Sequence, residues 1–445
     1  MIHEDCELRG NTAENSSAKS MLMMKPGYDI LIIGAGMVGA SLALALSHLP
    51  LRIAIIEKTS FNLEAIPNLD SKPIALNYAS SRILKNLIPW ADLSAYANPI
   101  EQVHISEAGC FAAARIKAKA MGIAALGYVI PSALLGQAFT KALIPLTQGS
   151  KPLRLDLFNP AQCQALLKKE QTWEAHITTP TGELQTISAH LLVAADGSDS
   201  IVRQLLDIKV QNQREGQMAL VATLKLARHH RHTAYQRFTP QGVMAALPLL
   251  GNQVGFVCTA AQHQIEERQS LSEAEFLAWV QSLFAYRLGQ FLESGPRGIY
   301  PIKSFIAEPQ AQAGLILLGN AAHTLSPIAA QGLNLALQDM AELADMIAKA
   351  FVAKKDLADP RISQAYLAAR LPVQKQLIGL TENLGRLFQE KFRLLTLIRN
   401  SGLLAFDLVS PLKQNVSRRL MGTHGRLPSL VRGIAPQQEE EHVKI

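Results

Sequence analysis

The sequence predicts an α/β protein in which a Rossmann-like dinucleotide-binding domain is interleaved with a β-sheet-rich domain and followed by C-terminal helices. Three apolar runs, far apart in the chain, support this. Each ends in a glycine-bearing loop: Tyr28–Ile33 before Gly34, 191–195 before Asp196-Gly197, and 315–318 before Gly319. A strand followed by a Gly-rich turn and a helical pattern is the signature of a βαβ unit with a ligand at the turn.

The first run is the most complete. Tyr28–Ile33 leads into Gly34-Ala35-Gly36-Met37-Val38-Gly39, a GxGxxG. Val38, Leu42, Ala45, Leu46 and Leu49 then recur at helical spacing, and Arg52–Ile56 is a second strand that ends at Glu57 and Lys58. Gly34 permits the tight turn, Gly36 lets backbone approach a pyrophosphate, and Gly39 allows close helix–strand packing. The helix N-terminus holds the phosphates and Glu57 accepts from a ribose. In the second run, Asp196-Gly197-Ser198-Asp199-Ser200 and Arg203 follow the strand; taken alone, Asp-Gly there is an ordinary turn. The third run opens the segment 319–339, with Gly319 and Gly332 at its ends and Pro327 between them. No charged residue occurs from Pro309 to Gln338. After Gly332 the positions Leu333, Leu337, Met340, Leu343 and Ile347 predict a helix whose free N–H groups point back at the loop. Between these runs, 221–226, 236–238 and 254–257 read as strands, and helices follow from about 357.

The order of these motifs resembles the FAD-dependent aromatic hydroxylases of the para-hydroxybenzoate hydroxylase type, from about Tyr28 to Gly433. The closer similarity is to the ubiquinone-biosynthesis hydroxylases. It rests on Asp70-Ser71-Lys72-Pro73-Ile74-Ala75-Leu76, on Leu126-Gly127-Tyr128-Val129-Ile130, on Arg237-Phe238-Thr239-Pro240 and on Gly319-Asn320-Ala321-Ala322. Asn320, where Asp is usual, resembles the branch acting on 2-polyprenyl-6-methoxyphenol. Lys72 stands where Arg is usual and keeps the charge without the bidentate fork. Ala330 replaces a loop glycine and needs a backbone angle open to a Cβ.

The resemblance implies an FAD-dependent monooxygenase. NADPH or NADH reduces FAD, O2 gives a flavin C4a-hydroperoxide, and an electron-rich polyprenylated phenol is hydroxylated in ubiquinone biosynthesis. It implies cofactor contacts from Gly34, Gly36, Gly39, Glu57, Lys58, Lys72, Asp196, Gly197, Asn320, Pro327, Gln331, Gly332, Leu333 and Asn334. His323 and Arg237 are candidates for touching flavin or substrate, against the plainer readings of a loop hydrogen-bonder and a sheet-pairing arginine. No catalytic side chain is required, since the cofactor carries the chemistry. Two alternatives stand beside this: another FAD-dependent oxidoreductase, or a flavoprotein scaffold subunit of a quinone-biosynthesis complex. The expected domains are FAD-binding at 27–100, 135–210 and 300–350, substrate-binding at 101–134 and 211–299, and helical at 351–445.

Composition fits an enzyme. The chain has 445 residues, 48% of them hydrophobic and 18% charged, enough for about two domains with large cores. Cys6, Cys110, Cys163 and Cys258 are widely spaced with no CxxC, which argues against a metal site or a disulfide framework. Residues 1–25 read as a disordered extension without a signal peptide, and no run reads as transmembrane, so a cytoplasmic location is expected. From Arg386 to Arg432 nine basic residues face only Glu390 and Asp407, an excess equal to the +7 of the whole chain. Together with Leu384, Leu387, Phe388, Phe392, Leu395 and Ile398 they suggest either a peripheral membrane or docking helix, or a helix with a solvated basic face. Aromatic content of 6% and the lack of a binding motif argue against nucleic acid.

Overall fold

A computed structural model describes residues 27–61, 63, 72–110, 112–149, 152–214, 216–326, 330–389 and 410–436. The expected extension at 1–25, Pro327 and the basic residues Lys391, Arg393 and Arg399 lie outside these. The architecture is mixed α/β with several sheets and C-terminal helices, as expected.

The first sheet is built on β1 (Tyr28–Ile33), α1 (Met37–Ala45) and β2 (Arg52–Ile56). β1 lies at its centre, parallel to β2 on one side and to the strand Leu184–Ala194 on the other. Arg154–Phe158 extends the sheet beyond β2, and Leu315–Leu317 extends it beyond Leu184–Ala194, both in parallel. A parallel sheet is covered on both faces, which is why the stretches 30–33, 53–56 and 191–194 are apolar without a break instead of alternating. Ile30, Ile32, Ile53 and Ile55 pack on one side with α1 and the helix Gly332–Val352. Leu31, Ile33, Ala54 and Ile56 pack on the other, against Trp173, Ala175 and Ile177.

The second sheet alternates, as a sheet with two different faces must. Its strands include Gln102–Glu107, Ala113–Lys117, Gln217–Leu226, Thr233–Thr239, Gly242–Pro248 and Gln253–Ala261. One face carries Leu220, Ala222, Met244, Ala246, Phe256 and Cys258 and is covered by the helices Gln262–Ser270 and Glu273–Phe284. The other face turns toward the first sheet. A small sheet of Pro73–Asn77, Asn98–Ile100 and Gly127–Pro131 sits between the two. The helix Pro360–Gln389 packs against Gly332–Val352 and also touches the second sheet at Thr233–Thr239 and Gly242–Pro248.

Candidate functional site

The glycine loop has the geometry that its spacing demands. Gly34 has φ +101°, and a Cβ there would lie 2.5 Å from the Ala195 carbonyl oxygen. A Cβ on Gly39 would meet the Gly34 carbonyl oxygen at 1.9 Å, so α1 can lie this close to β1 only without a side chain. Gly36 is different: nothing lies within 4 Å of its missing Cβ, and it faces the cavity described below. Gly36 is also the N-cap of α1 and supplies no side-chain cap, so the helix's first N–H groups are left to a ligand. The Glu57 carboxylate accepts from Ala35 N at 2.7 Å and Thr59 N at 2.8 Å, which fixes the loop over the end of β2.

Asp196 and Arg203 join this loop to the third motif. Asp196 Oδ2 accepts from Val202 N at 3.1 Å, while Oδ1 is buried without a partner among the described residues. Burial pushes this carboxyl up. Arg203 donates to Ser198 O at 2.5 Å and Ala321 O at 2.7 Å, and its guanidinium lies 4.8 Å from the Phe305 ring centroid. It therefore clamps the Asp-Gly segment to Gly319–Ala321. This role is not encoded in local spacing, because Arg203 reaches the Gly319–Ala321 segment across more than 100 positions.

Two buried polar clusters position the third motif. Asn334 Nδ2 donates to Ala75 O and Ala330 O, and its Oδ1 accepts from Asn77 N at 2.8 Å. Its amide is thus a clasp between the Gly332–Val352 helix and the Pro73–Asn77 strand. Asp339, fully buried, binds His323 Nε2 at 2.7 Å, Arg370 Nε at 2.5 Å and Gln374 Nε2 at 2.8 Å. Burial pushes the Asp339 carboxyl up, but the Arg370 charge and the hydrogen bonds outweigh this and hold it below the usual carboxylate range. His323 joins its loop to the following helix through Asp339. It is 1% exposed and does not line the cavity.

A cavity of about 960 Å³ runs between the sheets. At one end it is lined by Gly36, Lys72, Gly197, Asn320 and the turn Gln331, Gly332, Leu333 and Asn334. At the other it meets Ile105, Ile116, Phe238, Leu247 and Val257 of the second sheet, with Leu380, Val416 and Leu420 from the C-terminal helices. The structure so brings together eight of the residues expected at the cofactor. Gly34, Gly39, Glu57 and Asp196 stand behind them, and Lys58 is exposed outside the cavity. Arg237 also lies elsewhere: it turns to the opposite face of its strand and donates to Ser106 Oγ at 3.1 Å. Lys72 stands at the rim, 5.7 Å from the Tyr300 ring centroid. The turn at 229–232 gathers His229, His230 and His232 with ring nitrogens within 4.8 Å of one another, a grouping not expected from sequence. Both nitrogens of His230 are engaged, with Leu249 O and His232 N.

These features fit FAD. Gly36 opens onto the cavity, and the helices that start at Met37 and Gly332, both at its wall, carry no side-chain N-caps, which suits an anionic cofactor. The comparison that decides the matter is a family model, FAD binding domain, which matches residues 27–381. The chain belongs to the FAD-binding-domain family. It is an FAD-dependent hydroxylase of the monooxygenase type. Ubiquinone hydroxylase UbiL of Rhodospirillum rubrum is 30% identical, covering 91% of this chain and 93% of that protein. The 3-demethoxyubiquinol 3-hydroxylase of Escherichia coli is 28% identical over 88% of this chain and 98% of its own. Among solved structures, p-nitrophenol 4-monooxygenase PnpA of Pseudomonas putida matches with a TM-score of 0.69 at 15% identity, covering 91% of this chain and 100% of that one. That last likeness shows the fold of these flavin monooxygenases.

Proposed function

We propose that this FAD-dependent hydroxylase acts on a polyprenylated phenol in ubiquinone biosynthesis, with 2-polyprenyl-6-methoxyphenol as substrate and NADPH or NADH as reductant. The observation that carries the proposal is the continuity of this cavity: its cofactor end runs on into a compartment walled mostly by apolar side chains. A phenol with a long hydrocarbon tail needs such a compartment, since each buried CH2 is worth about 0.8 kcal/mol. The names of the relatives support the pathway.

FAD, when bound, supplies the oxygen chemistry, with the reductant and O2 as co-substrates. The chain's own residues do the rest. The N–H groups at α1 and Gly36 receive the phosphates. The turn at Gly332 aims the positive end of a 21-residue helix at the cavity, which favours negative charge on the reduced ring. Arg203 and Asp339 hold the loops rigid around it. The aliphatic walls exclude water, which keeps the oxygen chemistry directed at substrate.

The last wall is the helix Ser410–Leu420. Val416, Ser417 and Leu420 face the cavity while Arg418 and Arg419 are exposed. This arrangement supports peripheral attachment through the basic face, at a membrane or a partner complex that delivers the apolar substrate. The direct test is consumption of NADPH by purified enzyme with and without a prenylated methoxyphenol, with peroxide followed in parallel. Substrate-stimulated oxidation with little peroxide is expected. Equal rates with stoichiometric peroxide would point instead to an oxidase with another substrate.

A further inference from the structure

The second sheet places one polar side chain in an otherwise apolar row. Register pairs Ala114 with Ile105, Ile105 with Gln236, Gln236 with Ala245 and Ala245 with Val257. All five line the cavity, and four of them are aliphatic. Along its own strand Gln236 is flanked on the same face by Ala234 and Phe238. Of its neighbours, Arg237 lies off the cavity, and Tyr235 borders it while its ring packs elsewhere. Tyr235 stacks on His104 at 5.2 Å, and Arg237 bonds Ser106. The half-buried Gln236 amide makes no hydrogen bond with any described residue.

A sheet face that contacts only a hydrocarbon tail has no use for an amide, because an unpaired polar group in a closed apolar site is costly. Gln offers a carbonyl acceptor and an NH2 donor side by side. We propose that Gln236 orients the aromatic head group: its carbonyl accepts from the phenol hydroxyl, and its NH2 donates to the adjacent ring oxygen. Gln236 is then a specificity-determining residue. The aliphatic members of its row hold the ring, and the phenol is presented edge-on to the amide with its other edge free. This assignment rests on the prenylphenol reading above.

Calorimetric titration of the purified FAD-loaded protein tests it. The two probes are 2-geranyl-6-methoxyphenol and the same compound with hydrogen in place of the ring hydroxyl. Wild type is expected to bind the phenol about tenfold more tightly, the usual penalty for one unmatched polar contact in a closed site. Gln236→Leu and Gln236→Met are expected to lose that preference, to bind the deoxy probe as wild type does, and to keep full FAD content. FAD content reads folding independently, and Met has nearly the shape of Gln should the branched variant fail to fold. Retention of the preference in a folded variant overturns the role of Gln236. So does its loss in Thr324→Val or Ser417→Ala instead, since their buried hydroxyls also face the cavity without a partner among the described residues. If an FAD-loaded wild type binds neither probe, the prenylphenol reading fails and this assignment falls with it.

Discussion

Ala330 has φ +51°, a left-handed conformation that costs a residue with a Cβ about 1–2 kcal/mol. It sits where the resemblance of the motif implies glycine. Ala330→Gly is expected to stabilise the folded protein by up to about 1 kcal/mol, after the extra chain entropy that glycine loses. Urea unfolding would register this, and an unchanged or lower midpoint would mean that the Cβ makes compensating contacts. Asp339 makes a larger demand. Asp339→Asn leaves Arg370 buried without its counter-charge, which costs about 3–5 kcal/mol. Because the folded carboxyl lies below its ordinary value, Asp339 contributes stability at neutral pH. That contribution shrinks only as acid titrates the group, below about pH 4. The gap between wild type and Asp339→Asn is therefore expected to be full at pH 7 and to narrow under strong acid. A pH-independent gap would place the effect in packing instead. The backbone demand at Ala330 was legible beforehand, but the contacts of Asn334 and Asp339 were not, for a physical reason. Asn334 bonds Ala75 across 259 positions and Asp339 bonds Arg370 across 31, so no local spacing encodes either pair. Gly34, Gly36 and Gly39 were legible from their local spacing, although the carbonyl that crowds Gly34 belongs to the distant Ala195.

At the scale of elements, the glycine loop separates folding from binding. Gly39→Ala must move α1 off β1 and is expected to lower thermal stability and FAD content together. Gly36→Val places its side chain in open cavity, so normal melting with loss of FAD is expected. Normal FAD content in folded Gly36→Val would relocate the pyrophosphate. The glycine motif, the helix after Gly332 and the main strands could be read from periodicity and turn residues. Sheet order could not. Arg154–Phe158 beside β2 and Gln102–Glu107 beside Thr233–Thr239 are pairings set by long-range packing, and their alternation alone fits several neighbours.

At the scale of the whole molecule, two sheets of different chemistry enclose the cavity described above, and the helix Ser410–Leu420, with its exposed Arg418 and Arg419, forms part of its wall. Arg418→Gln with Arg419→Gln is expected to weaken binding to anionic vesicles by about 1 kcal/mol per charge at low salt, without changing FAD content. Vesicle binding equal to wild type would make the basic face a solvated surface. The central claim is that this cavity brings FAD and a prenylated phenol together so that dioxygen is spent on the ring. The most direct measurement is the mass of the product formed from 2-geranyl-6-methoxyphenol under isotopically labelled dioxygen with NADPH. One labelled oxygen in the aromatic ring is expected, and none when the FAD-depleted Gly36→Val protein is used. Unmodified phenol beside labelled peroxide, from enzyme that holds FAD and binds the phenol, would contradict it.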